Sequence, residues 1–247
     1  MRFPLVLLCA AALWAQPGPQ GPPPPLVPQL TNAARLINDF AEQFRFAPDN
    51  ASVAPPAAGE NRVVFMGDSI TIGWGRSGSP TFFPGKPYIN RGISGQVTGQ
   101  MLLRFYPDVI ALKPKAVVIL AGTNDIGGNI GPLPNEWIQN NLASMVDMAK
   151  ANGVKVVLSS ITPVCDVPQR VPQTQVRPPE RINAVNGFLK EYAAKNGHIY
   201  LDYFSAMSDE KGLLKPELTA DGLHFNASGY AIMSPLAEKA IAQALGK

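Results

Sequence analysis

Three residues of this chain of 247 have types that can together activate a nucleophile: Ser69 and, far along the sequence from it, Asp221 and His224, which are three positions apart. A serine hydroxyl is a weak nucleophile until an imidazole takes its proton, and the imidazole works best when a carboxylate fixes its tautomer. The short spacing lets the Asp221 carboxylate reach Nδ1 of His224 while Nε2 faces Ser69. The sequence therefore predicts Ser69 as nucleophile, His224 as general base and Asp221 as the group that orients the base.

Attack on an ester carbonyl also builds negative charge on oxygen, which prearranged hydrogen-bond donors must stabilise. The backbone N–H groups of Ser69 and Gly95 and the side-chain amide of Asn124 could supply three such donors. Gly95 suits this task because a carbonyl oxygen can approach an N–H that has no side chain beside it. Each residue also has a plainer interpretation. Ser69 could cap a helix, Gly95 could lie in an ordinary turn, and Asn124 with Asp125 could form a turn after a strand.

Short apolar runs alternate with helical patterns along the chain. We predict strands at residues 62–67, 88–90, 115–121, 154–158 and 198–201, and helices at residues 31–46, 98–112, 135–151, 180–195 and 228–245. Pro107 should kink or divide the second helix, and residues 163–179 form a long proline-rich loop. This alternation predicts an α/β fold, with a five-stranded parallel sheet covered by helices on both faces.

The candidate residues all follow predicted strands. One lies after each of the first three strands, and the remaining two come after the last strand. Because ligands of open α/β sheets bind beyond the carboxyl ends of the strands, we expect these residues to meet at that edge. His198, the other histidine of the chain, begins the last predicted strand and is expected to be structural, at the opposite edge.

The amino terminus has the pattern of a secretory signal peptide: Arg2 precedes an apolar run that ends in small residues. Cleavage is predicted after Ala15, with Ala12 as a second candidate site. Cys9 follows Leu8 rather than a small residue, which argues against a lipid-anchored cysteine and against a stable membrane anchor. The sequence thus predicts a secreted or periplasmic protein.

The predicted organisation is a signal peptide at residues 1–15, a proline-rich tether at 16–30, an N-terminal helix and loop packed on the main domain at 31–59, and the main domain at 60–247. Cleavage would lower the net charge from +3 to +2 and leave Cys165, expected to be a packed thiol, without an internal disulfide partner. Since the excess charge is small and forms no basic cluster, no nucleic-acid partner is expected.

Four segments, taken in order, resemble the sequence blocks of the SGNH (GDSL-like) hydrolases: Gly67-Asp68-Ser69-Ile70, Asn90-Arg91-Gly92-Ile93-Ser94-Gly95, Gly122-Thr123-Asn124-Asp125 and Asp221-Gly222-Leu223-His224. The resemblance covers nearly all of residues 60–245. It implies a flavodoxin-like three-layer α/β/α sandwich. It also implies Ser69 as nucleophile, Gly95 and Asn124 as oxyanion-hole residues beside it, and Asp221 with His224 as the rest of the triad. The first and third blocks look like the subgroup of platelet-activating-factor acetylhydrolase subunits and carbohydrate acetylesterases.

The resemblance and the signal peptide together predict a secreted serine esterase that cleaves short acyl esters, most naturally acetyl esters of a carbohydrate, through an acyl-serine intermediate. Two alternatives stay open at this point: a lysophospholipase or thioesterase acting on lipids, and a non-catalytic carbohydrate-binding module that keeps the fold. A third possibility, a surface or adhesion protein displayed on the tether, would leave the polar residues at the carboxyl edge of the sheet without a use. The Gly-x-Ser-x-Gly, Walker and dinucleotide motifs and a histidine cluster are absent from the sequence, so no cofactor or metal is expected.

Overall fold

The computed structural model describes Ala34, residues 36–76 and residues 80–247. The signal peptide predicted at residues 1–15 and the tether predicted at residues 16–30 lie outside the described residues. Within the described ranges, no helix is long and apolar enough to cross a membrane.

Five parallel strands form the central sheet, in the order β2-β1-β3-β4-β5. The strands are β1 (Val63–Gly67), β2 (Tyr88–Gly92), β3 (Ala116–Leu120), β4 (Lys155–Ser159) and β5 (Ile199–Leu201). Every residue of β1 and β3 is buried, which explains their continuous apolar sequences, since helices cover both faces of the sheet. The prediction of a five-stranded parallel sheet is confirmed.

The helices are α1 (Ala47–Ser52), α2 (Ser69–Gly73), α3 (Thr98–Asp108), α4 (Thr123–Ile126), α5 (Asn135–Ala151), α6 (Gln173–Val176), α7 (Pro179–Asn196), α8 (Tyr203–Met207) and α9 (Ala227–Ala244). Short 3₁₀ turns occur at Ile110–Leu112 and Pro216–Leu218.

Alternate residues of each strand enter different cores, because successive side chains of a strand point to opposite faces. Val64 and Met66 of β1 pack in one core with residues of α3, α5 and α7. Val63 and Phe65 pack in the other with residues of α9. These two cores make the three-layer α/β/α sandwich that the sequence resemblance implied.

The prediction of a helix at residues 31–46 is wrong for residues 39–46. Ala34 and residues 36–38 are helical, but residues 39–46 form turns and bends. The Asp39 carboxylate accepts hydrogen bonds from the backbone N–H groups of Gln43 and Phe44 at 2.8 and 3.0 Å, and Glu42 has a φ of 53°. These local bonds compete with helical ones. After these turns, the loop predicted at residues 48–59 begins with a helix, α1, whose first turn accommodates a proline, and residues 53–59 form no helix or strand.

The helix predicted at residues 98–112 is divided, as expected from Pro107. Helix α3 ends at Asp108, and the chain continues as the 3₁₀ turn Ile110–Leu112. A proline in a last turn removes one N–H donor and makes continuation of the α-helix costly. The long loop at residues 163–179 also holds a short helix, α6.

Candidate active site

Ser69 lies directly after the carboxyl end of β1, as the first residue of helix α2. Asp68 caps this helix, because its Oδ1 accepts a hydrogen bond from the backbone N–H of Ile70 at 2.9 Å. The alternative in which Ser69 itself caps the helix is therefore wrong. Gly67 allows the tight turn, since a Cβ at this position would lie 2.8 Å from the carbonyl oxygen of Leu120. Ser69 is thus free to use its hydroxyl elsewhere.

The hydroxyl of Ser69 meets the imidazole of His224, whose Nε2 lies 2.9 Å from Ser69 Oγ. On the other side of the ring, Nδ1 lies 2.7 Å from Oδ2 of Asp221. A carboxylate next to Nδ1 favours the tautomer with the proton on Nδ1, which leaves Nε2 as an acceptor for the serine proton. The geometry is that of a serine activated by an oriented base.

The turn that carries Asp221 and His224 is shaped by the same carboxylate. Asp221 Oδ1 accepts hydrogen bonds from the backbone N–H groups of Leu223 and His224 at 2.9 and 2.8 Å. Gly222 between them has a φ of 85°, a conformation that favours glycine. Thr219 Oγ1 donates to the carbonyl oxygen of His224 at 2.7 Å. These bonds hold the backbone of His224, while Asp221 Oδ2 contacts its imidazole.

Burial alone would raise the pKa of Asp221, but the hydrogen bonds from the His224 side chain and from the two backbone N–H groups outweigh it. The net effect keeps the pKa of the Asp221 carboxyl below its ordinary value. Asp221 is thus ionised at neutral pH, and it can stabilise an imidazolium when His224 takes a proton.

The structure brings Asn124 and Gly95 to the same edge of the sheet. Asn124 lies on α4, immediately after β3, and is buried. Its Nδ2 donates to the carbonyl oxygen of Gln96 at 3.0 Å, which joins it to the loop that carries Gly95. Gly95 has a φ of 79°, and the amide of Asn129 donates to its carbonyl oxygen at 2.9 Å. All five predicted site residues therefore follow the carboxyl ends of strands.

The neighbouring Asp125 has a different task. Its carboxylate accepts hydrogen bonds from the backbone N–H and the hydroxyl of Thr98, at the first residue of α3. Burial raises the pKa of Asp125, and the contacts with Thr98 oppose that rise. We infer that Asp125 ties α4 to α3, so it is structural.

The sequence interpretation missed two charged residues near the site. Arg177 is buried, and its Nε donates to the carbonyl oxygen of Thr123 at 3.1 Å while its Nη2 lies 3.4 Å from Oδ1 of Asn124. The available signal was its place in the long loop at residues 163–179, a kind of loop that is often functional. Asp68 is fully buried beside Ser69, and burial raises its pKa to about 6.

Other histidine, cysteine and aromatic side chains lie away from this edge or in the core. His198 directly precedes β5, at the amino end of the strand, as expected. Cys165 is buried, which raises the pKa of its thiol, and is the packed cysteine that the sequence predicts. The rings of Trp74, Phe82 and Phe83 pack around Phe65, with centroids 5.1 to 5.9 Å from it, so they belong to the core. Among the described residues, no group of three or more His, Cys, Asp or Glu could hold a metal ion.

The GDSL-like lipase/acylhydrolase family model matches residues 65–232 of this chain. The chain is 42% identical to a GDSL-like lipase of Bacteroides thetaiotaomicron, with a TM-score of 0.77 over 83% of this chain and 99% of that one. It is 41% identical to a proposed acylhydrolase of Bacteroides fragilis, with a TM-score of 0.78 over 84% of this chain and 99% of that one.

A curated relative, the uncharacterized lipoprotein YqeF of Bacillus subtilis, is 32% identical over 81 residues. This match covers 32% of the present chain and 33% of the relative, so the chain spans about a third of the length of that protein.

Proposed function

We propose, since this chain belongs to the GDSL-like lipase/acylhydrolase family, that Ser69, His224 and Asp221 are its catalytic triad. The chain is an SGNH-type hydrolase, as the family and its lipase and acylhydrolase neighbours indicate. The observation that carries the residue assignment is the unbroken contact from Asp221 Oδ2 through the imidazole to Ser69 Oγ, with both distances below 3 Å. A binding module that lacked catalysis would have no need of this arrangement.

In the proposed reaction, Ser69 Oγ attacks the carbonyl carbon of the ester and its proton passes to Nε2 of His224. The tetrahedral oxyanion accepts hydrogen bonds from the N–H groups of Ser69 and Gly95 and from Nδ2 of Asn124. Collapse breaks the bond to the alcohol oxygen, which takes the proton from His224 and leaves an acyl-serine. Water then attacks the acyl carbon and gives a proton to His224. Collapse of this second tetrahedral intermediate breaks the bond between the acyl carbon and Ser69 Oγ, His224 returns its proton to Oγ, and the carboxylic acid is released.

We propose acetylated carbohydrate as the substrate class. Polar groups support this choice: the exposed Asn129 contacts Gly95, and Gln173 contacts Arg177 beside Asn124. Amide side chains at such positions can bind sugar hydroxyls, which a lipid tail lacks. Axe2 of Geobacillus stearothermophilus, an acetylxylan esterase, is 22% identical with a TM-score of 0.60 over 76% of this chain and 96% of that one. A likeness at this identity shows the fold alone.

We also propose that the mature protein acts outside the cytoplasm, secreted or in the cell envelope. The signal-peptide pattern of residues 1–15 supports this location. The match to a lipoprotein of Bacillus subtilis is compatible with it.

A lipid esterase is the second candidate function. Ile130 and Val171 are 43% and 61% exposed, on the loops that follow α4 and β4. Exposed apolar side chains on loops beside an active site could contact an acyl chain. Activity on long-chain esters would favour this candidate.

The test compares three forms of the chain without residues 1–15: the parent, Ser69→Ala, and Ser144→Ala, which replaces an exposed serine on α5. Each is assayed with p-nitrophenyl acetate and p-nitrophenyl octanoate, and then for acetate release from acetylated xylo-oligosaccharide and fatty-acid release from lysophosphatidylcholine. We expect Ser69→Ala to lose on the order of a millionfold in kcat and Ser144→Ala to lose nothing. Activity that survives Ser69→Ala would refute the triad, and a preference for octanoate and lysophosphatidylcholine would replace the carbohydrate proposal.

A further inference from the structure

The side-chain amide of Asn124 is held at both of its ends. Its Nδ2 donates to the carbonyl oxygen of Gln96, and its Oδ1 faces the guanidinium of Arg177, with distances of 3.0 and 3.4 Å. A carbonyl oxygen can only accept, and a guanidinium can only donate. The two neighbours therefore permit one orientation of the amide and exclude the orientation rotated by 180°.

This orientation matters because the two ends of an amide have nearly the same shape but opposite electrostatic character. With Nδ2 toward the Gly95 loop, the second N–H of the Asn124 amide can stabilise an oxyanion. With the amide reversed, a partial negative charge would face the developing oxyanion and raise the barrier. Donors of this kind are effective because they are oriented before the reaction begins.

The chain provides a fitted place for Arg177. Its Nε donates to the carbonyl oxygen of Thr123 at 3.1 Å, and its Nη1 donates to Gln173 Oε1 at 2.6 Å. Gly127 packs against the guanidinium: a Cβ there would lie 2.8 Å from Nη2 and 2.9 Å from Cζ. Because the φ of Gly127 is −70°, its backbone conformation would suit other residues, so the lack of a side chain is required by Arg177.

The charge of Arg177 is buried, and two nearby carboxylates partly offset the cost of burying it. Burial lowers the pKa of Arg177 from its ordinary value, and the negative charges of Asp68 and Asp221 oppose that effect. A buried guanidinium remains protonated at neutral pH, since its ordinary pKa lies far above neutral. A buried cation therefore lies beside Asn124, shielded from solvent.

We propose that Arg177 is a positioning residue of the oxyanion hole, which acts by fixing the amide of Asn124 with Nδ2 toward the substrate. The inference rests on the proposed function, because it assigns Arg177 a role in that same reaction. Arg177 does not touch the reacting atoms, so it acts through Asn124, and its loss should affect the transition state rather than substrate binding.

The test is a double-mutant cycle on p-nitrophenyl acetate hydrolysis with Arg177→Met, Asn124→Ala and the double variant. We expect Asn124→Ala to lower kcat by roughly 100- to 1000-fold. Arg177→Met removes all the donors at similar length and should lower kcat by about 100-fold, with KM within about twofold. Since both changes disable one donor, the double variant should lose little more than Asn124→Ala alone. Arg177→Lys, which keeps the charge and one donor direction, should recover part of the loss.

Arg170→Met is the matched control, because it removes an exposed arginine from the same loop and should leave kcat unchanged. If the losses of the two single variants multiply in the double variant, or if Arg177→Met raises KM with kcat unchanged, the inference is wrong. Gly127→Ala covers the case in which Arg177→Met fails to fold. Gly127→Ala displaces the guanidinium of Arg177 but keeps its charge, so it should lower kcat. Combined with Asn124→Ala, it should lower kcat no further than Asn124→Ala does alone. Activity retained by Ser69→Ala would instead refute the proposed function itself.

Discussion

Replacing Asp68 by asparagine should stabilise the protein at neutral pH and have a much smaller effect in acid. The Asp68 carboxyl is fully buried beside Ser69, and burial raises its pKa from 3.8 to about 6. One oxygen accepts from the N–H of Ile70, and Oδ2 has no hydrogen-bond partner in the described part of the chain. An asparagine keeps an acceptor for Ile70 and carries no charge.

The size of the effect follows from the pKa shift. A carboxyl whose pKa is raised on folding binds its proton more tightly in the folded state. Its contribution to stability is therefore complete below about pH 3.8 and is lost as the pH rises through about 6. At 1.36 kcal/mol per pKa unit, a rise of the Asp68 pKa from 3.8 to about 6 removes ~3 kcal/mol from the free energy of unfolding at high pH. About 2 kcal/mol of this loss falls between pH 4.5 and pH 7.5. The uncharged amide of the Asp68→Asn variant has no such loss. The free energy of unfolding of this variant, relative to the parent, should therefore rise by ~2 kcal/mol from pH 4.5 to pH 7.5.

The measurement is the free energy of unfolding by urea, at several pH values from 4.5 to 7.5, for the parent and for Asp68→Asn. Asp166→Asn is the control, because Asp166 is exposed and its contacts with Thr174 lower its pKa. Its small effect should have the opposite sign, a relative loss of stability at neutral pH. A difference between parent and Asp68→Asn that stays constant with pH would refute the reasoning, since it would mean that Asp68 has the same pKa folded and unfolded.

Two further changes test the loop that carries His224, the proposed general base. Asp221→Asn should lower kcat for p-nitrophenyl acetate by about 10⁴-fold, because an amide N–H facing Nδ1 of His224 selects the tautomer that cannot accept a proton at Nε2. An activity near that of the parent would show that the 2.7 Å contact does not control the tautomer. Gly222→Ala should lower the Tm, since a Cβ at a φ of 85° would clash with the main chain of the loop after β4. A Tm equal to that of the parent would mean that the loop after β4 accommodates the new Cβ without loss of stability.

Much of the architecture could be predicted from local pattern. Buried parallel strands are continuous apolar runs, so β1 and β3 were recognisable from their residues alone. The site residues could be predicted as a group, because in such a fold every residue that follows a strand comes to the same edge. The turns at residues 39–46 could not be predicted, since the apolar spacing there is helical while the side chain of Asp39 competes for the backbone N–H groups.

What the sequence determined by itself is the order of the elements and the chemical types that arrive at the carboxyl edge: a hydroxyl, an imidazole, a carboxylate and an amide. What only the tertiary structure decided is which of these groups meet and which way they face. Ser69 and His224 are 155 residues apart, and Arg177 and Asn124 are 53 residues apart. Contacts over such separations depend on how the loops pack. No local pattern reports that packing, so the buried guanidinium beside Asn124 and the buried carboxyl of Asp68 became visible only in the folded chain.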